Sequence, residues 1–233
     1  CSSDLYLVSS FSDQEDRTIA DVLKKMPGIQ VMSDGSVLYQ NRPINKFYIE
    51  NLDLLQGKYG IATNNISADD VATVQVMENH QPVRALIGKE YVNEAALNLK
   101  LKESTKGVFF MNAQAGIGAK PLLLSNELLG MYFTRNMQHM SIYKGDNSGR
   151  DITKELQSLY RSNHDRIDLN SLLNIVEPSS PSITQQRYLF NDTQTGTVNH
   201  LNKLGEQYML TTNLNYIHDE IEKEGYRDRK SVV

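Results

Sequence analysis

Five histidines, His80, His139, His164, His200 and His218, are the most obvious metal ligands and general bases in this chain. Long stretches separate them, with no His-Glu-x-x-His pattern and no i, i+4 pair, so polar loop and lumen positions explain them better than a shared metal. No Gly-x-Ser-x-Gly elbow offers a serine nucleophile. Gly57-Lys58-Tyr59-Gly60 lacks the spacing of a phosphate-binding loop, and Gly116-Ile117-Gly118 fits small residues that let strand backbones pack closely. Asp146-Asn147-Ser148-Gly149-Arg150-Asp151 begins like a calcium loop. Arg150 stands at a ligand position, however, and no bidentate glutamate follows at the required distance, so the segment reads as a turn. Carboxylates are plentiful but form no recognisable catalytic pair. Catalytic, cofactor and metal residues are therefore assigned to none, the ligand-contacting residues stay unknown, and the chain reads as a non-enzyme.

Composition narrows the classes further. The 233 residues carry 24 Lys and Arg against 28 Asp and Glu, a formal charge of -4, which is the wrong sign for a general nucleic-acid binder. No apolar run approaches the ~18 residues of a membrane-spanning helix, which leaves barrel strands of roughly 10 alternating residues untouched. The single cysteine, Cys1, allows no internal disulfide and no cysteine-based metal site. It reads as an arbitrary boundary of a longer protein in preference to the first residue of a lipoprotein.

The elements that would carry a site fall into two groups. In residues 1–103, Leu5-Tyr6-Leu7-Val8 reads as a strand. Ile19, Val22, Leu23 and Met26 lie on one helical face, with Thr18 and Asp21 as a cap and Pro27-Gly28 as the stop. Ile29 to Val31 and Val37 to Tyr39 are short strands around Ser33-Asp34-Gly35, and Gln40-Asn41-Arg42-Pro43 is the next reversal. Asn45 to Glu50 is a strand, the stretch with Gly57 and Gly60 a loop, Ser67 to Asp70 a capped turn, and Thr73 to Glu78 a strand. In Ala95 to Lys102, Leu97, Leu99 and Leu101 share one face and Asn98, Lys100 and Lys102 the other.

In residues 104–233 the period becomes that of long alternating strands. Phe109, Met111, Ala113, Ala115 and Ile117 oppose Phe110, Asn112, Gln114, Gly116 and Gly118. Leu122 to Arg135, Met137 to Lys144, Arg187 to Asn191, Thr197 to Leu204 and Gln207 to Asp219 read as further strands, with Tyr132, Phe133 and Tyr143 as interfacial aromatics. Gly145 to Gly149 is a turn. Asp151 to Val176 reads as a loop with helical content around Ile152, Leu156, Leu159 and Tyr160, and Glu177 to Ser182 as a flexible loop. Alternation alone fits a soluble sheet with one wet face as well as a membrane wall.

A resemblance separates these readings. Thr18 to Ile29 (TIADVLKKMPGI) is similar to the opening helix and Pro-Gly stop of the plug domain of TonB-dependent outer-membrane receptors. Asn45 to Asp53 (NKFYIENLD) resembles the plug strand that usually carries Asp-Gly where this chain has Glu50-Asn51, and Ser67 to Met77 resembles the acidic turn and strand that follow. Glu78 to Leu86 (ENHQPVRAL) is similar to the Bacteroidetes carboxypeptidase-like-regulatory subgroup.

The resemblance spans most of residues 1–103. It implies an α+β plug domain (1–103), followed by antiparallel strands of an incomplete transmembrane β-barrel (104–233). It further implies energy-coupled uptake of a small nutrient such as a siderophore, vitamin, glycan or peptide. The TonB-ExbB-ExbD complex would be the partner, a surface lipoprotein a second one left open, and the cell outer membrane the location, with the plug facing the periplasm inside the barrel. The loops Asn51–Asn65 and Glu78–Lys89 are candidates for facing ligand or gating. About 130 residues supply too few strands to enclose a plug, so the chain reads as a piece of such a receptor, continued beyond Arg227-Asp228-Arg229-Lys230. The alternative is an outer-membrane or periplasmic β-rich docking module that transports nothing.

Overall fold

The computed structural model describes residues 3–32, 35–160, 190–205 and 208–222. Ser33-Asp34, His164, the Glu177–Ser182 loop, most of the 151–176 segment, residues 187–189 and the Arg227–Lys230 run lie outside the described residues.

Helix α1 (Ile19–Leu23) forms because Ile19, Val22 and Leu23 present one apolar face, which is wholly buried. The Asp21 carboxylate caps it by accepting from the backbone N–H of Thr18 at 3.2 Å and of Arg17 at 3.3 Å. The helix C-cap is Lys24, and beyond it Gly28, in the left-handed region at φ +75°, completes the turn that Ile29 N–H closes on the Met26 carbonyl at 3.3 Å. Strands β2 (Ile29–Val31), β3 (Val37–Tyr39) and β4 (Arg42–Pro43) form a small antiparallel sheet. Gln40 and Asn41, both at positive φ, make the tight reversal between β3 and β4.

The other strands of this half are β1 (Ser3–Leu7), β5 (Lys46–Ile49), β6 (Val71–Met77) and β7 (Ala96–Leu101), in the order β1-β6-β7-β5. β1, β6 and β7 pair antiparallel, while β5 joins β7 in parallel, so β6 follows β5 in sequence without pairing with it. Ser67 caps the turn before β6 by accepting from Asp69 N–H at 3.2 Å. One expectation is corrected here. The stretch read as a loop through Gly60 contains helix α2 (Gly60–Asn65). Its residues are poor helix formers. Burial of Ile61 and Ala62, and a bond from Thr63 Oγ1 to the Gly35 carbonyl at 3.0 Å, hold it in place.

The remaining strands, β8 (Phe109–Gly118), β9 (Leu123–Phe133), β10 (Met137–Asp146), β11 (Phe190–Leu204) and β12 (Tyr208–Glu222), form an antiparallel meander. It is open, with β8 and β12 at its edges. The two strands expected at Arg187–Asn191 and Thr197–Leu204 are one continuous strand over their described part. Asp192 to Gly196 look too polar for a strand, yet Thr193 and Thr195 are buried against the rest of the protein. Asp146, expected in a turn, is the last residue of β10.

The architecture is mostly antiparallel β with few helices. One hydrophobic core joins both halves, since Leu129, Met131, Phe133, Met140, Ile142 and Leu201 of the meander pack with Phe47, Ile49, Leu97 and Leu99. Leu99 lies on the β7 face that this core covers, and it is fully buried. Leu99→Ala is expected to cost about 2–5 kcal/mol through lost burial and the cavity left behind. Urea unfolding followed by tyrosine fluorescence, the chain having no tryptophan, should show the midpoint fall accordingly.

Candidate functional site

Local geometry explains the departure from Asp-Gly after β5. Glu50 (φ 52°) and Asn51 (φ 64°) both sit in the left-handed region, where a non-glycine residue costs about 1–2 kcal/mol. Each side chain offsets that cost. Glu50 Oε1 accepts from Leu101 N–H at 2.7 Å, and Oε2 meets Lys106 Nζ at 3.2 Å, tying β7 to the segment that leads into β8. Asn51 N–H donates to Asn98 Oδ1 at 2.9 Å and Asn98 Nδ2 returns to Asn51 Oδ1 at 2.8 Å. Asn98, expected on a polar face, is fully buried and satisfied by this exchange and by Gln75.

The candidate loop Asn51–Asn65 is largely core. Leu52, Leu54, Leu55, Tyr59 and Ile61 are buried, and the residues following β10 lie across it. Leu159 N–H donates to the Gly57 carbonyl at 2.8 Å, and a Cβ on Gly57 would meet Ser158 Oγ at 2.6 Å. Tyr160 Oη accepts from Phe47 N–H at 2.9 Å and donates to Asp53 Oδ1 at 3.1 Å. Lys46 lies 4.7 Å above the Tyr160 ring and pairs with Asp53 at 2.6 Å. Burial first, and Asp53 second, push the Tyr160 hydroxyl far above the usual phenol range. Glu155 joins three parts of the molecule. It takes Lys144 Nζ of β10 at 2.8 Å and the side-chain amides of Asn64 and Asn65 at 3.5 and 3.4 Å. The sequence signalled this strap only through the apolar spacing of Ile152, Leu156, Leu159 and Tyr160.

The second candidate loop, Glu78–Lys89, lies at the surface. Beside it Tyr39, Arg42, Glu78, Asn79, Tyr91 and Glu94 line a polar cavity of about 250 Å³. Tyr39 donates to Glu78 at 2.8 Å, and burial, then Glu78, push its hydroxyl up to about 12. His80 stands between Asn45 and Tyr48, at 3.3 and 3.4 Å, and burial, then Lys46, hold it below its ordinary value. No residue of Asn51–Asn65 lines that cavity.

The Asp146 segment is a closed turn. Asp146 Oδ1 accepts from Ser148 N–H at 2.8 Å, and Oδ2 pairs with Arg150 at 3.0 Å. Asn191 of β11 bonds across it to Gly149 N–H and the Asp146 carbonyl. Among the described residues, no group of three or more His, Cys, Asp or Glu side chains is placed to hold a metal ion. His139 and His200, distant in sequence, stand directly opposite each other on β10 and β11, a pairing that strand register alone decides.

The meander has two unlike faces. Towards the α/β half it buries Gln138, Lys144, Asp146, Asn191, Thr193, Thr195, Thr197 and Asn199 among a few apolar residues. Gln138 Nε2 reaches the Ile49 carbonyl at 2.8 Å, and Lys144 lies between Glu127 and Glu155. Outward it exposes Phe109, Met111, Ile117, Leu128, Tyr143, Val198, Leu210, Leu214 and Tyr216.

No protein-family model matches the chain, and no curated protein matches it. Solved structures similar to it include three receptors. The ferric-catecholate import receptor Fiu from Escherichia coli is 14% identical, with 94% of this chain and 26% of that one covered and a TM-score of 0.32. The pyoverdine outer membrane receptor FpvA from Pseudomonas aeruginosa is 16% identical, with 94% and 27% covered and a TM-score of 0.36. The siderophore receptor PirA from Acinetobacter baumannii is 8% identical, with 91% and 31% covered and a TM-score of 0.34. The chain thus spans about a quarter to a third of the length of these proteins.

Two outcomes follow from this geometry. Glu50→Ala leaves Leu101 N–H without its acceptor and Lys106 with Glu103 alone while the left-handed strain stays, and is expected to cost about 1–3 kcal/mol in chemical denaturation. The raised Tyr39 value stabilises the fold fully below pH 10, and the contribution is lost as pH rises from 10 through about 12. Tyr39→Phe should flatten the stability profile over that window, read by urea titrations at successive pH values.

Proposed function

We propose that residues 1–103 are the plug domain, and residues 104–233 the first wall strands, of a TonB-dependent outer-membrane receptor that takes up a small nutrient. The observation that carries this reading is the inverted polarity of the meander. A sheet stabilised in water buries its apolar face and wets its polar one. Here eight polar side chains are buried under the α/β half beside Leu129, Met131, Phe133, Met140, Ile142 and Leu201, while the outer face exposes large apolar ones such as Phe109, Met111, Ile117, Leu128, Leu210 and Leu214, as in a wall between lipid and a filled lumen.

The outline of the apolar face supports the same reading. On β8 it runs from Phe109 to Ile117, and on β12 from Tyr208 to Tyr216. Across the sheet, Phe109 stands in the row of Tyr132, His139, His200 and Thr212, four residues above Tyr208. Tyr216 stands in the row of Ala113, four residues below Ile117. Both borders therefore descend by the same amount, about 13 Å over four strand spacings of roughly 4.8 Å, a slope of about 35°. Strands of outer-membrane barrels tilt by roughly 35–45°, and eight residues at that slope span about 22 Å, close to the ~25 Å apolar band of such walls.

The connections 134–136 and 205–207 are short; at the other end of the sheet 119–122 is short and 147–189 long, and that long connection supports reading its end as the cell exterior. In this arrangement the strap fastens an exterior loop to the plug. The TonB-ExbB-ExbD complex supplies energy from the periplasm, and a siderophore, vitamin, glycan or peptide is the class of cargo. The order of the plug motifs in residues 18–86 supports the same family.

Val198 lies near the middle of the apolar band. In the full-length protein, Val198→Arg is expected to cost about 2–4 kcal/mol and to lower the amount of assembled, heat-modifiable barrel in outer-membrane fractions. Asp192→Arg, beyond the upper border, should leave assembly unchanged. Equal assembly of both variants would refute the lipid-facing wall. Deletion of the full-length gene should abolish uptake of one nutrient; intact uptake with loss of a bound partner would favour the docking module.

A further inference from the structure

We propose that His139 and His200 form a two-imidazole site for a divalent first-row metal, Cu²⁺ or Zn²⁺, on the outward face of the meander. The two residues are direct partners in the register of β10 and β11, so both side chains leave the same face. Their ring centroids are 5.7 Å apart with the planes inclined at 57°. Two imidazoles sharing one metal through N–metal bonds of 2.0–2.1 Å at a tetrahedral angle have centroids roughly 5.2 Å apart. The observed separation is thus within about half an ångström of the separation that a shared metal requires.

The surroundings suit a cation. In the row Tyr132, His139, His200, Thr212 no other side chain is charged, and the residues two positions away along each strand, Met137, Ser141, Val198 and Asn202, are neutral. No lysine or arginine of the row repels a metal, and no carboxylate there captures a protonated imidazole. Ser141 Oγ lies 2.8 Å from His139 Nε2. A hydrogen bond on one nitrogen is the support that a ligating imidazole uses to fix its orientation, and it leaves Nδ1 as the ligating atom. Both rings are half-buried, in the lower part of the apolar face. Imidazole donors suit Cu²⁺ and Zn²⁺, and of the two Cu²⁺ is the more tightly held by the usual order of divalent affinities. The inference rests on strand register and ring geometry and does not depend on the transport reading.

The test is titration of the purified full-length protein in detergent with Cu²⁺, and separately Zn²⁺, by calorimetry, with electron paramagnetic resonance of the copper form. The expected result is one Cu²⁺ per chain with hyperfine coupling to two imidazole nitrogens. Affinity should fall by at least about tenfold in His139→Asn and in His200→Asn, and more modestly in Ser141→Ala. Because both histidines face outward, the variants should keep the far-ultraviolet dichroism and heat-modifiability of the parent. His218→Asn, on the same face but distant along β12, should bind like the parent. Absence of copper binding, a signal from a single nitrogen, or unchanged affinity in either histidine variant would overturn the proposal.

Discussion

The meander exposes large apolar side chains on its outer face and buries polar ones on its inner face, the reverse of an ordinary soluble sheet. Strict alternation on β10 and β11 sends Gln138, Lys144, Asp146, Asn191 and Thr193 inward, so each must find a polar partner where solvent is scarce. Those partners then fix everything that touches the inner face. Lys144 holds Glu127 and Glu155, Glu155 reaches Asn64 and Asn65, Asn191 closes the Asp146 turn, and Gln138 meets the Ile49 carbonyl. The α/β half is therefore docked by directional bonds as well as by the shared core. The apolar outer face gains nothing from water, and on the proposed reading lipid is its solvent.

The same economy appears where the chain turns from β5 into the buried loop. A glycine would adopt the left-handed conformation without strain. This chain uses Glu50 and Asn51, whose side chains reach β7 and the Lys106 segment. Local strain is exchanged for a tie between the loop, the mixed sheet and the entry to the meander. Tyr160 does comparable work from the far side, with its hydroxyl completing the edge of β5 and its ring covering Gly57.

Much of this was legible in the residues. The helical face of Ile19, Val22 and Leu23, the Pro27-Gly28 stop, the Ser67 cap and the opposed faces of Phe109 to Gly118 follow from local sterics and side-chain periods of 3.6 and 2. Such rules act within a few residues, so the sequence by itself determined most elements and, on β8, which residues share a face. It also showed the Glu50-Asn51 departure, though not its cause.

Tertiary structure decided what depends on partners distant along the chain. β5 pairs with β7 across fifty residues, helix α2 exists because burial outweighs the poor propensities of Gly60, Thr63, Asn64 and Asn65, and β11 runs unbroken through residues polar enough to pass for a loop. His139 meets His200 only because the register sets them opposite. The loop Asn51–Asn65, a candidate on the sequence reading for facing ligand or gating, is largely buried, with residues 155–160 lying across it. Periodicity says which side of a strand is apolar; only packing says whether water, lipid or another part of the chain covers each side.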